Sequence, residues 1–140
     1  MARDIFVNLP VADVARSTAF YEAIGFEKNP DFSNEQAWAM RWTDAIYVML
    51  LDNAFYATFT DKKILDAKTH SGALLALGFD SRADVDAITQ AALTAGGREL
   101  HDPEDLGFMY SRAFEDPDGH GWGPFTMDVA AAPAAQPEEA

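Results

Sequence analysis

Two carboxylates and an imidazole within five residues hold most of this chain's capacity for chemistry: Asp116 and Asp118 flank Pro117, and His120 follows Gly119. Paired carboxylates can do general acid–base work when one is buried with a displaced pKa. In Asp-Pro-Asp-Gly, however, their ordinary work is turn formation: Pro fixes φ, Asp bonds its own backbone and Gly accepts positive φ. His120 adjoins the aromatic run 122–125, where binding or proton transfer stands beside a structural role. His70 and His101 lie beside turns or strand edges, and no metal-like spacing relates the three histidines. Arg112, the lone cation in the preceding aromatic run, could hold an anionic ligand or pair with an acid such as Glu115. The absence of cysteine excludes disulfides, thiolate nucleophiles and thiolate metal sites.

A second group has the character of a pocket lining. Phe6, Trp38, Tyr47, Met49, Phe108, Tyr110, Trp122 and Phe125 would give an apolar cavity with a few polar tips, as small-molecule sites have, although a plain core would use the same residues. Phe6, Asn8, Tyr47 and Met49 share one strand parity and are the first candidates for the lining. Asn8 is the best polar candidate among them, because a buried amide must find hydrogen-bond partners. Tyr110, Arg112 and His120 complete the expected ligand-binding set.

The elements that must position these residues follow from hydrophobic period and punctuation. Residues 4–9 alternate as a strand before Pro10, with Ile5, Val7 and Leu9 on one side and Phe6 and Asn8 on the other. Asp13 N-caps a helix over 13–24 that ends at Gly25. Strands are expected over 26–32, 36–42 and 45–51, then a connector with a helical turn near 61–66. A strand over 72–79 leads to Ser81, which with Asp84 forms a capping-box-like start to a helix ending at Gly96-Gly97. A short strand over 98–101 precedes the hairpin built on Asp-Pro-Asp-Gly. The order is βαβββ twice, and the helix-ending glycines Gly25 and Gly96 lie 71 positions apart, so the chain reads as a duplicated unit. The modules are 4–53 and 71–128, the connector is 54–70, and the whole forms one domain over 4–128. The Ala- and Pro-rich segment 129–140 has too little to bury and is expected to be disordered.

Length and composition agree with this organisation. A chain of 140 residues, 49% hydrophobic, can bury one sizeable core. Twenty-three acidic against ten basic residues give a formal charge of −13, which repels nucleic acid and anionic membrane surfaces, and the sequence shows no basic patch to offset it. No stretch resembles a signal peptide or a membrane span, so a cytoplasmic location is expected.

The hairpin with Glu-Asp-Pro-Asp-Gly-His between aromatic runs resembles the last module of the vicinal-oxygen-chelate superfamily, which holds glyoxalase I, extradiol dioxygenases, fosfomycin-resistance enzymes and bleomycin-resistance proteins. Residues 11–26, with Asp13, Ser17, Phe20-Tyr21 and Gly25-Phe26, are similar to its first-module motif. The chain most resembles a bacterial branch of predicted lactoylglutathione lyases, through Phe-Val-Asn-Leu-Pro-Val near the start, Tyr-Val-Met-Leu-Leu at 47–51 and Gly-Phe-Met-Tyr at 107–110. The resemblance implies an α+β fold: two tandem βαβββ modules form an incomplete barrel around a cavity, usually in a homodimer. In the superfamily's metalloenzymes, inward-facing His, Gln or Glu hold a divalent ion that polarises substrate oxygens and stabilises an enediolate-like anion. The resemblance places Phe6, Met49, Leu74 and Gly123 at those four positions, and none offers a donor; Val7, Val48, Ala73, Leu75 and Trp122 beside them offer none either. The expectation is therefore a metal-independent small-molecule-binding protein without a cofactor, a divalent metal being possible only through an atypical site. The alternatives are a lactoylglutathione-lyase-like lyase or isomerase using such an atypical metal site, and a dimeric structural domain without a ligand.

Overall fold

The computed structural model describes residues 3–128 and Ala130. In the first module, β1 (Ile5–Val11) and α1 (Val14–Ala23) precede β2 (Glu27–Asn34), β3 (Ala37–Thr43) and β4 (Ile46–Asp52). After a single helical turn, α2 (Asn53–Tyr56), the second module repeats the order with β5 (Leu74–Phe79), α3 (Arg82–Thr94), β6 (Arg98–Asp105), β7 (Met109–Glu115) and β8 (Gly121–Met127). Each module folds into a four-stranded sheet whose first strand pairs parallel with its last, giving the orders β1-β4-β3-β2 and β5-β8-β7-β6. Neither sheet closes into a barrel.

The helices form where the sequence supplies caps and an apolar stripe. Asp13 accepts the Arg16 N–H and Ser81 accepts the Asp84 N–H, each satisfying a donor that an uncapped helix would leave open. Both helices stop at a glycine in the left-handed region, Gly25 at φ +112° and Gly96 at φ +108°. Their buried faces, Phe20 and Tyr21 on α1 and Val85, Ile88 and Ala92 on α3, pack into one core with Leu9, Val48, Leu50 and Phe26 of the first module and Leu77, Phe114 and Trp122 of the second. The modules therefore share their core on the helix-bearing faces of the sheets. The opposite faces are left to neighbours and solvent.

Alternation places Val7, Leu9 and Val11 of β1 toward the core and turns Phe6 and Asn8 outward. β1 continues through Pro10, beyond the expected stop at Leu9. This is tolerated because β1 is an edge strand, where an absent N–H breaks no ladder bond. Two other expectations are corrected. The helical turn sits at Asn53–Tyr56, where Asp52 caps it by accepting the Phe55 N–H, and not near 61–66. β6 runs to Asp105, past residue 101, because two register shifts, one at Leu100 and one at Asp102 and Pro103, let pairing with β7 resume at Glu104. The tail expected to be disordered lies, apart from Ala130, outside the described residues.

The end of α3 separates two costs that glycine avoids. Gly96 has positive φ, and a methyl group added there would have nothing within 4 Å, whereas a Cβ on Gly97 would lie 2.6 Å from the Glu115 carbonyl oxygen and 2.9 Å from that of Ala92. Gly96→Ala should cost about 1–2 kcal/mol, the conformational penalty alone. Gly97→Ala should cost more, because it displaces backbone at the start of β6. Urea denaturation of the two variants checks the ranking, and a Gly97→Ala protein as stable as Gly96→Ala contradicts it.

Candidate functional site

The Asp-Pro-Asp-Gly-His turn joins β7 to β8, and its polar groups reach across to the first module. Asp116 is 2% exposed. Its Oδ2 accepts the Tyr21 hydroxyl at 2.6 Å, and its Oδ1 accepts the backbone N–H groups of Asp118 at 2.9 Å and His120 at 2.8 Å. The Tyr21 oxygen in turn accepts the Trp122 indole N–H at 3.0 Å, so one buried chain of hydrogen bonds links α1 to both sides of the hairpin turn. The Asp118 carboxylate accepts the Ala12 N–H at 2.9 Å, the Ser17 hydroxyl at 3.1 Å and the Arg16 guanidinium at 3.3 Å. His120 Nε2 donates to the Pro10 carbonyl at 2.7 Å, on the edge of β1 that no strand covers. Acids and imidazole together form a clasp between modules.

Burial pushes the Tyr21 hydroxyl well above its ordinary pKa, with Asp116 adding to the effect, and keeps it a proton donor. Burial also raises the Asp116 carboxyl, against the opposing pull of His120 and of the Tyr21 hydrogen bond. Asp116 thus has the burial and displaced pKa that acid–base chemistry would require. It lines neither of two cavities, however, one of about 400 Å³ beside Arg82 and Tyr110 and one of about 640 Å³ beneath residues 62–73, and its oxygens are occupied by the clasp.

The remaining sequence candidates separate into two places. Phe6, Asn8, Tyr47 and Met49 come together on the outer face of the first sheet: Phe6 pairs with Tyr47 and Asn8 with Met49 in register, and the Phe6 and Tyr47 rings stack at 4.6 Å with planes 5° apart. Asn8 is exposed, and solvent can satisfy an amide for which the sequence predicted protein partners. Tyr110 and Arg112 are not with them. Both point toward α3, where the Tyr110 hydroxyl donates to Asp86 at 2.6 Å and Arg112 bonds Asp86 at 3.0 Å; Arg112 also bonds Glu99 of β6 at 2.9 Å. Arg112 thus forms the ion pair expected of it, with Asp86 and Glu99, while Glu115 pairs instead with Arg98. The Tyr110 hydrogen bond holds the Asp86 carboxyl below its usual range. His101 bonds the Asp102 carbonyl within β6, and His70 bonds the neighbouring Thr69 hydroxyl in the connector.

The feature that sequence reasoning missed is a cleft of about 640 Å³ under the connector. Its walls are residues 7–10 at the β1 edge, connector residues 62–65 and 67–73, the start of β5 at Leu74 and Leu75, and the outer face of the second sheet at Arg98, Leu100, Glu115 and Gly121. The connector is held there by close approach to the clasp turn, since a Cβ on Gly119 would lie 2.6 Å from the backbone of Ala67 and Lys68. Asn8 and His120 reach this cleft, and Leu74, one of the four positions that resemblance assigns to metal ligands, is 74% exposed beside it. Phe6 and Met49 lie on the outer face of the first sheet, and Gly123, in register with Ala76, on that of the second. Among the described residues no three His, Cys, Asp or Glu side chains are grouped to hold a metal.

This geometry has close counterparts among solved structures. A glyoxalase-related enzyme from Fulvimarina pelagi superposes with a TM-score of 0.77 at 18% identity, covering 92% of this chain and 91% of its own. A glyoxalase/bleomycin resistance protein/dioxygenase family enzyme from Burkholderia phytofirmans gives 0.72 at 19% identity, covering 87% and 96%. A bleomycin resistance determinant encoded on the transposon Tn5 gives 0.62 at 20% identity, covering 91% and 100%. In sequence, residues 3–40 match the family described as bleomycin resistance protein-like N-terminal. The chain has the vicinal-oxygen-chelate superfamily fold. No curated protein matches it in sequence. Among the described residues, no helix is long and apolar enough to cross a membrane.

Removing the Tyr21 hydroxyl tests the clasp. Tyr21→Phe keeps the ring but leaves the Trp122 N–H and one Asp116 oxygen buried without this partner, and each such orphan costs about 1–3 kcal/mol. Urea denaturation should show a loss of about 2–4 kcal/mol; a loss below about 0.5 kcal/mol, the range of an ordinary surface substitution, would show that the bond does not join the modules.

Proposed function

We propose that this protein binds a small, largely apolar molecule in the cleft beneath the connector, without a metal ion. The carrying observation is a cavity of about 640 Å³, within the roughly 300–1,000 Å³ range of small-molecule sites, walled mainly by Val7, Leu9, Ile64, Leu65, Leu74 and Leu100. A metal-assisted lyase needs hard donors converging on one point to stabilise an enediolate-like anion. Here the four corresponding positions present a ring, a thioether, a branched alkyl chain and a bare glycine. The alternative donors that line the cleft are already engaged: His120 with the Pro10 carbonyl, His70 with the Thr69 hydroxyl and Glu115 with Arg98.

The same reading includes a homodimer. Ile5, Phe6, Ile46 and Leu74 are 55%, 45%, 39% and 74% exposed near the two sheet edges, and pairing with a second copy would cover apolar surface that a monomer leaves wet. A cytoplasmic setting accords with a chain that has no cysteine.

Metal content and ligand screening decide between binding and lyase chemistry. Protein purified without chelator or affinity tag should hold no stoichiometric divalent metal, and nickel, zinc and manganese titrations should give no saturable heat. Apolar small molecules should raise its melting temperature. Stoichiometric metal together with conversion of a hemithioacetal to its thioester would overturn the proposal.

A further inference from the structure

The chain has ten cationic side chains against twenty-three acidic ones, so acidic partners are in excess. Arg16, Lys28, Arg41, Arg82, Arg98 and Arg112 each pair with a carboxylate. Among the described residues the cations with no acidic partner are Arg3, Lys62, Lys63 and Lys68. All three of these lysines line the cleft.

Chance placement on a solvated loop is the competing explanation, and the surroundings of the lysines weigh against it. Asp61 and Asp66 share the connector, yet neither lines the cleft, and Asp66 Oδ1 is occupied by the Lys68 backbone N–H at 3.0 Å. The one acid in the cleft wall, Glu115, is paired with Arg98 at 3.3 Å. The cleft therefore has an apolar body and a cationic side with no acid of its own left to neutralise it. On a molecule of net charge −13, whose long-range field turns anions away, these lysines act only at short range, within about 8 Å at physiological ionic strength. The arrangement selects for an occupant that places an anionic head at the lysines and an apolar body against Ile64, Leu65 and Leu74.

We infer that the cleft takes a small amphipathic organic anion, its oxyanion head held by Lys62, Lys63 and Lys68 and its hydrocarbon part buried under the connector. Lysine is a compact point charge on a flexible stem and imposes no bidentate geometry, so it receives carboxylate, sulfonate or phosphate heads alike. This inference rests on the binding function proposed above and adds the charge of the ligand.

The test uses three probes of equal chain length, octanoate, octanol and octyltrimethylammonium, titrated into the full chain by calorimetry and amide chemical shifts. Octanoate should bind about tenfold more tightly than octanol, the sum expected of three exposed ion pairs, and the cation more weakly than either. Shifts should concentrate in residues 62–75. In the variant combining Lys62→Gln, Lys63→Gln and Lys68→Gln, octanoate should fall to the affinity of octanol while octanol is unchanged. Equal affinity of octanoate and octanol in the natural protein, a preference that survives the triple substitution, or shifts centred elsewhere would each overturn the inference and leave the binding reading in place. Absence of saturable binding by all three probes would overturn both.

Discussion

One buried carboxylate organises this molecule. Asp116 receives the Tyr21 hydroxyl and two backbone N–H groups of its own turn, and through Tyr21 it is tied to the Trp122 indole. A carboxylate this deep is tolerable only with its lone pairs satisfied. The only route to the Tyr21 hydroxyl is for α1 of the first module to pack against the hairpin of the second. An aromatic cluster packs around the bond at that junction, with Tyr21 edge-on to Trp122 at 5.8 Å and Phe20 beside Phe114 at 6.3 Å. The polar bonds fix the register of that packing. Asp118 and His120 extend it to the start of α1 and the edge of β1.

This constraint decides where function can reside. The residues most suited to chemistry are committed to joining modules, and Tyr110 and Arg112 are committed to α3. What remains open is the outer face of each sheet and the cleft that the connector makes between the β1 edge and the second sheet. A connector pinned against the clasp turn at Gly119 is held in place over that cleft by the same interaction that joins the modules. Stability and site geometry thus share one set of hydrogen bonds.

The fold was legible because its signals are local. Asp13, Ser81, Gly25 and Gly96 mark helix ends through bonds spanning three or four residues, and the repeat of βαβββ follows from them. The strand parity that put Phe6, Asn8, Tyr47 and Met49 on one face is also local. The site was less legible for a corresponding reason. Tyr21 and Asp116 are 95 positions apart, and nothing near either residue announces the other. Tyr110 and Arg112 have the composition of a pocket, but their orientation depends on α3 lying across β7. The connector has weak periodicity, and sequence gives it no structural role. Its signal was charge: three of the chain's four lysines fall within seven residues of an otherwise acidic molecule.

The central claim is that the Asp-Pro-Asp-Gly-His turn binds the two modules into one cooperative unit. Native-state hydrogen exchange tests it most directly, by comparing the slowest amides of β4 with those of β8 as denaturant is raised. If the clasp couples the modules, both strands will open with the same free energy and the same denaturant dependence, as parts of one global unfolding. Opening of one strand at a distinctly lower free energy than the other would contradict the account.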